Sequence, residues 1–213
     1  MNNDIDILWE TNIGSHMWHM EKPESDFDIY RAYIIPTTDI LKGIARQNSH
    51  QEMEGLIDRA SHEIGVIINQ LLKGNVNHLW GTMSPIIIDR GEGVWHNKLR
   101  EIVSKNISKN VFHSINGMAY HNYQKYIIAR DMEPKLMEKK CNTVVRTLNF
   151  GIEILKGHGF RFEPVSGCVI QNIQTKMEEL EWTYKSSSLP ENPPDEDAFR
   201  DFLLNLRLSK LNK

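Results

Sequence analysis

The chain has 213 residues, 40% hydrophobic and 25% charged, with a formal net charge of -3, which suits one large globular domain or a smaller one with a helical appendage. The slight acidity excludes a global basic field for nucleic acid, so any such contact needs a local basic patch. Cys141 and Cys168 form neither a disulfide framework nor a zinc-ligand spacing, no apolar run reaches the roughly 18 residues of a membrane helix, and the opening MNNDIDILWE is acidic where a secretory signal is basic, so a cytoplasmic protein without membrane contact is expected.

Residues 13–28 read IGSHMWHMEKPESDFD. The string GSHM is what a cleaved purification tag often leaves, but MNNDIDILWETNI precedes it, so it reads as native sequence. Next, DFDIYRAYIIP alternates, is rich in Ile and Tyr and closes at Pro36, which predicts a strand starting at the two acids. Residues 39–53 are polar with weak helical spacing, and EGLIDRA predicts another short strand. SHEIGVIINQLLKG predicts a helix capped by Ser61, with Ile64, Ile67, Ile68, Leu71 and Leu72 on one face and Gly74 at its end. SPIIID is a further strand candidate and RGEG a turn. The second half is helical: 96–109, 111–130 and 134–157 are long helix-compatible runs, and in the last Met137, Cys141, Val144, Leu148, Ile152 and Leu155 recur at helical intervals. KSSSLPENPPDED reads as a linker, after which Asp195 or Asp197 starts a terminal helix carrying Ala198, Phe199, Phe202, Leu203 and Leu206.

Alternate residues of a strand share a face, so the carboxylates of Asp26 and Asp28 project together and repel unless a cation joins them. Such a pair is also common at a solvated strand edge. Mg²⁺ is the natural cation, being hard, oxygen-seeking and at home between carboxylates and substrate phosphates. Ten residues separate this pair from Gly14-Ser15, where a glycine backbone, a hydroxyl and the N–H groups of a helix start can hold phosphate oxygens. The nine histidines offer no recurring zinc spacing. Trp18 suits core packing at least as well as stacking on a base.

Gly-Ser, ten residues, then Asp-x-Asp between apolar residues resembles the nucleotidyltransferases of the DNA polymerase beta superfamily. GSHMW through KPESDFDIYRAYIIP is similar to their RNA-repair-associated branch: Gly14, Ser15, Trp18, Pro23, Glu24, Ser25, Asp26 and Asp28 match its motif, and His19 stands where the branch has glycine. IDRASHEIGVIINQLLKGN resembles the segment in which an Asp precedes a helix ending Lys-Gly-Asn; Lys73, Gly74 and Asn75 match, while Val76 and Trp80 replace Pro and Glu. In KKCNTVVRTLNFGIEIL, Lys140, Arg146, Gly151 and Leu155 fit the family's helix.

The resemblance implies an α+β fold: a small mixed-sheet catalytic core at 1–95, a helical region at 96–182 completing the cleft, a linker at 183–196 and a C-terminal helix at 197–213. It implies transfer of a nucleoside monophosphate from an NTP, ATP first among them, to an acceptor hydroxyl. The acceptor is an RNA (tRNA) 3′ end or, as in antitoxin-like members, a protein side chain; a non-catalytic nucleotide- or RNA-binding protein on the same scaffold is the alternative. Asp26 and Asp28 would hold two Mg²⁺ ions, or Mn²⁺ in their place. Asp58 is nominated as the third carboxylate, with Asp89 and Glu63 as competitors, and Gly14, Ser15 and Ser25 belong to the nucleotide cradle. In the helical half Ser114, His121 and Lys125 share one face, and Asn142, Arg146 and Asn149 another. Lys125 and Arg146 would neutralise the triphosphate while Ser114 and Asn142 donate hydrogen bonds, although polar residues at helical spacing are more often the wet side of a helix. Arg146 alone is also singled out by the resemblance.

Overall fold

The alternating segment that begins between the two acids forms β2 (Phe27–Ile34), which leaves Asp26 just outside the strand, and β1 (Asp6–Asn12), β3 (Ser49–Glu54), β4 (Ile57–Glu63) and β5 (Ile87–Asp89) join it. They make a mixed sheet in the order β3-β4-β2-β1-β5, with β2 and β4 parallel and the other neighbours antiparallel. The structure, a computed structural model, describes residues 5–44, 48–89, 91, 93–128 and 133–211; Arg90 and Glu92 of the expected turn, and residues 129 and 130 of the expected second helical run, lie outside them. With helices accompanying the mixed sheet, the fold is α+β.

The chain divides into two units. The sheet unit comprises residues 1–73, 77–106 and 195–213. It holds α1 (Gly14–Met17), α2 (Thr37–Leu41), α3 (Ile64–Leu72), most of α4 (Val76–Met83), α5 (Val94–Lys105) and α9 (Glu196–Ser209). α3 buries Ile64, Ile67, Ile68 and Leu71, each worth about 1.5–3 kcal/mol in hydrophobic transfer. Trp9 of β1 is fully buried and stacks on His96 of α5 at 4.7 Å. Glu63 caps α3 by accepting from the Gly65 amide at 2.7 Å and pairs with Arg207 of α9 at 2.7 Å. Both α5 and α9 therefore belong with the sheet unit.

The helical unit, residues 74–76 and 107–194, contains α6 (Val111–Asn122), a π-helical turn continuing it (Tyr123–Ile128), α7 (Pro134–Leu155) and α8 (Ile170–Ser186). At Gly151 of α7 the neighbouring helices come close: a Cβ would stand 2.7 Å from Ile115 of α6 and 3.1 Å from Leu180 of α8. Among the described residues no helix is long and apolar enough to cross a membrane.

Three local expectations change. Ser61 is no helix cap: it lies within β4, fully buried, and the helix starts after Glu63. The polar stretch 39–53 holds the short α2 and then β3, whose outer position in the sheet leaves it polar on both faces. The expected linker at 183–196 begins later, because α8 runs to Ser186, and Asp195 caps α9 by accepting from the Ala198 amide at 2.9 Å.

Candidate active site

Three backbone features bring Gly14-Ser15 against the start of β2. Gly14 takes φ +63, the left-handed conformation that glycine reaches without strain. The Ile13 amide donates to the Asp28 carbonyl at 2.7 Å, and the Ser15 carbonyl accepts from the Met20 amide at 3.0 Å. A Cβ on Gly14 would stand 1.7 Å from an Asp28 carboxylate oxygen, so that carboxylate lies directly against the Gly14 backbone. The His16 ring stacks on Phe27, the residue between the two acids, at 4.5 Å and 20°. Trp18, 1% exposed, meets Trp80 edge-on at 5.7 Å and is a packed core aromatic. His19 also has a positive φ, +54, so the turn persists with histidine in the conformation that favours glycine.

In β2, Asp28, Tyr30 and Ala32 share a face; in register beside them on β4 stand Asp58, Ala60 and His62. Asp28 and Asp58 are direct partners across the parallel pair, both half-buried, and Asp26, exposed, lies two residues before Asp28. Ser25 closes a turn by accepting from the Lys22 amide at 2.8 Å. Neither competitor for the third acid reaches this face. Glu10 pairs with both Arg31 and Asp89, so Asp89 lies two strands away on the opposite face, and its carboxylate accepts from the Gly91 amide at 2.9 Å. Glu63 is fully buried and engaged by α3 and Arg207.

Gln51 of β3, unmarked in the sequence, has its amide nitrogen 2.7 and 2.8 Å from the two Asp58 oxygens. Among the described residues no group of three His, Cys, Asp or Glu side chains is gathered tightly enough to hold a metal ion; Asp28 rests on Gly14 and Asp58 faces an amide. The donor set itself is all hard oxygen, as Mg²⁺ requires, and the backbone pocket at Gly14 leaves room for a carboxylate that any other residue would displace.

Further along the same face the chemistry changes. Tyr30 is buried, its hydroxyl 2.9 Å from His78 Nδ1 on α4, and the His62 ring lies 4.7 Å from that of His78. Burial, reinforced by His50, pushes His62 down to about 4; burial, reinforced by His62, does the same to His78. Burial also raises the Tyr30 phenol well above its ordinary value. These groups are neutral at pH 7.

The helical unit holds the remaining candidates. Arg146 is half-buried on α7 and Lys125 exposed on the π-helical turn. The Asn142 side-chain oxygen accepts from the Cys168 amide at 3.1 Å and ties α7 to the start of α8, and the Ser114 hydroxyl accepts from the Val76 amide at 2.9 Å. Both polar groups thus have architectural work in the same unit.

No curated protein matches the chain. Among solved structures it is similar to a nucleotidyltransferase-like protein from Exiguobacterium sibiricum 255-15, at 8% identity over 96% of this chain and 74% of that one, with a TM-score of 0.31. The family model described as the RNA repair pathway DNA polymerase beta family matches residues 1–196, nearly the whole chain including both units. The chain belongs to the RNA repair pathway DNA polymerase beta family, and is a nucleotidyltransferase of the DNA polymerase beta type.

Proposed function

We propose that the protein transfers a nucleoside monophosphate from an NTP, ATP foremost, to the 3′ hydroxyl of an RNA. The observation that carries this reading is the in-register pairing of Asp28 with Asp58, beside a glycine turn pressed on the Asp28 carboxylate. The family's description, with its link to RNA repair, supports RNA as the acceptor class.

In this reading the acceptor oxygen bonds to the α-phosphorus as the bond to the β-phosphate breaks and pyrophosphate leaves. Ser15 and the first N–H groups of α1, which have no partner within a helix, hold the β and γ phosphates. Asp26 and Asp28 hold Mg²⁺, and Asp58 completes the oxygen set and accepts the acceptor's proton. When bound, the metal supplies charge neutralisation on the triphosphate and a lowered acceptor pKa.

The test is incubation with each α-labelled NTP, Mg²⁺ and a panel of tRNA, oligonucleotide and protein acceptors. Label should appear on RNA with release of pyrophosphate, and both Asp26→Ala and Asp28→Ala should abolish turnover with an unchanged circular dichroism spectrum. Turnover retained by either variant sinks this mechanism. Label on protein makes the enzyme protein-modifying, and binding without pyrophosphate release makes it a nucleotide- or RNA-binding protein.

A further inference from the structure

Gln51 sits opposite Ala60 in the antiparallel β3–β4 pair, so its side chain reaches diagonally along β4 to Asp58. One amide nitrogen stands nearly equidistant from both carboxylate oxygens, at 2.7 and 2.8 Å. That is the position between the oxygens where a cation held by both of them would lie.

We infer that Gln51 is a positioning residue that occupies the space between the two Asp58 oxygens, so that a divalent cation meets this carboxylate through a single oxygen, and thereby favours Mg²⁺ over Ca²⁺. The inference rests on the reading of Asp58 as the third carboxylate. Its physical basis is coordination geometry: Mg²⁺ is small, octahedral and satisfied by single carboxylate oxygens, whereas the larger Ca²⁺ accepts a carboxylate through both. A donor seated between the oxygens leaves the first mode open and obstructs the second. It also holds the carboxylate in one orientation before the metal arrives, the usual service of an outer hydrogen-bond partner to a metal ligand. The exposure of Gln51 and Asp58's half-burial leave both within reach of solvent ions.

The experiment titrates the full chain, without nucleotide, with Mn²⁺ followed by electron paramagnetic resonance, then displaces the Mn²⁺ with Mg²⁺ or Ca²⁺. Gln51→Met keeps the length of the side chain and removes its donor. It should weaken Mn²⁺ binding about 10-fold or more and shrink the preference for Mg²⁺ over Ca²⁺, with the thermal midpoint unchanged. Asp58→Asn should weaken Mn²⁺ binding as well, and adding Gln51→Met to it should change nothing more, since the two would act as one unit. Wild-type affinity and ion preference in Gln51→Met, alongside weakened binding in Asp58→Asn, would overturn the role of Gln51 and leave the reading of Asp58 standing. Wild-type affinity in Asp58→Asn would remove both. An equal loss from Gln51→Met with and without Asp58 would mean that Gln51 acts elsewhere in the fold, which also overturns the inference.

Discussion

Two ends of one sheet face differ sharply, although they lie on the same pair of strands. At the start of β2 and β4, Asp28 and Asp58 stand side by side, half-exposed, beside the Gly14 turn. Two to four residues further along, Tyr30 is buried with its hydroxyl on His78 of α4, His62 is half-buried with its ring against that of His78, and burial lowers the pKa of both histidines. Burial beside His78 of α4 thus takes Tyr30 into the core, while Asp28 and Asp58 stay within reach of solvent. Titratable groups at the covered end serve the fold, so changes there should register in stability, whereas changes at the open end should register in turnover.

A matched pair of glycine substitutions puts that division under the greatest stress. Gly14→Ala would drive a methyl to within 1.7 Å of the Asp28 carboxylate and force a left-handed backbone on alanine. Relieving that contact moves the carboxylate by roughly 1 Å or more, which costs about 100-fold in rate, and the backbone strain adds about 1–2 kcal/mol of destabilisation. Gly81→Ala, on α4, would place its methyl 2.2 Å from the Tyr30 ring, an overpacking that costs about 1–3 kcal/mol and should leave turnover per folded molecule nearly intact. Steady-state rates and urea midpoints measured on both proteins check the contrast, which collapses if Gly14→Ala remains fully active.

Acid should attack the covered end selectively. His62 and His78 titrate near 4 in the folded chain and at an ordinary 6.5 when unfolded. Between those values the unfolded chain binds more protons, so their contribution is fully present above about pH 6.5 and is lost as pH falls through 4. His78 contributes the larger part, because solvent screens the more exposed His62, and the combined loss is on the order of 3 kcal/mol. Urea midpoints at pH 7 and 4.5 should reveal it, and His78→Gln should flatten the difference. Smaller still is Tyr30→Phe, which removes the hydroxyl partner of His78 Nδ1 and should cost about 1 kcal/mol at pH 7, read from the same denaturation curves.

The open end was legible in the sequence because its signals are local. Strand alternation marks Asp28, whereas Asp26, expected to open the strand, stands just before β2, and the distance back to Gly14-Ser15 is a short-range spacing. Asp58 emerged only through family resemblance, since nothing in IDRA distinguishes it from Asp89 or Glu63 until β4 is laid parallel to β2 in register. β1 was hidden by its polar end: Thr11 and Asn12 are buried, the Thr11 hydroxyl donating to the Gly81 carbonyl at 2.7 Å and the Asn12 backbone carbonyl accepting from the Ser84 hydroxyl at 2.6 Å. Gln51 lay in SHQEME, where both faces are polar and no periodicity marks a strand. The histidine cluster joins His62 of β4 to His78 of α4, a pairing that only tertiary packing creates.

His19 offers the finest division between the two kinds of effect, because it lies in the open-end turn yet carries a purely conformational burden. Its φ of +54 is one that L-residues adopt with strain, histidine less so than branched residues. His19→Gly would release that strain while adding freedom to the unfolded chain, so the two terms oppose and the net gain should be small, about 0.5 kcal/mol. The His19 side chain is exposed. If the ring serves only as a tolerated occupant of the turn, the urea midpoint rises slightly and the Michaelis constant for NTP stays the same. A raised Michaelis constant with the same small gain in stability would instead place the imidazole among the groups that bind the nucleotide, and would explain why a strained residue occupies a turn that glycine fits better.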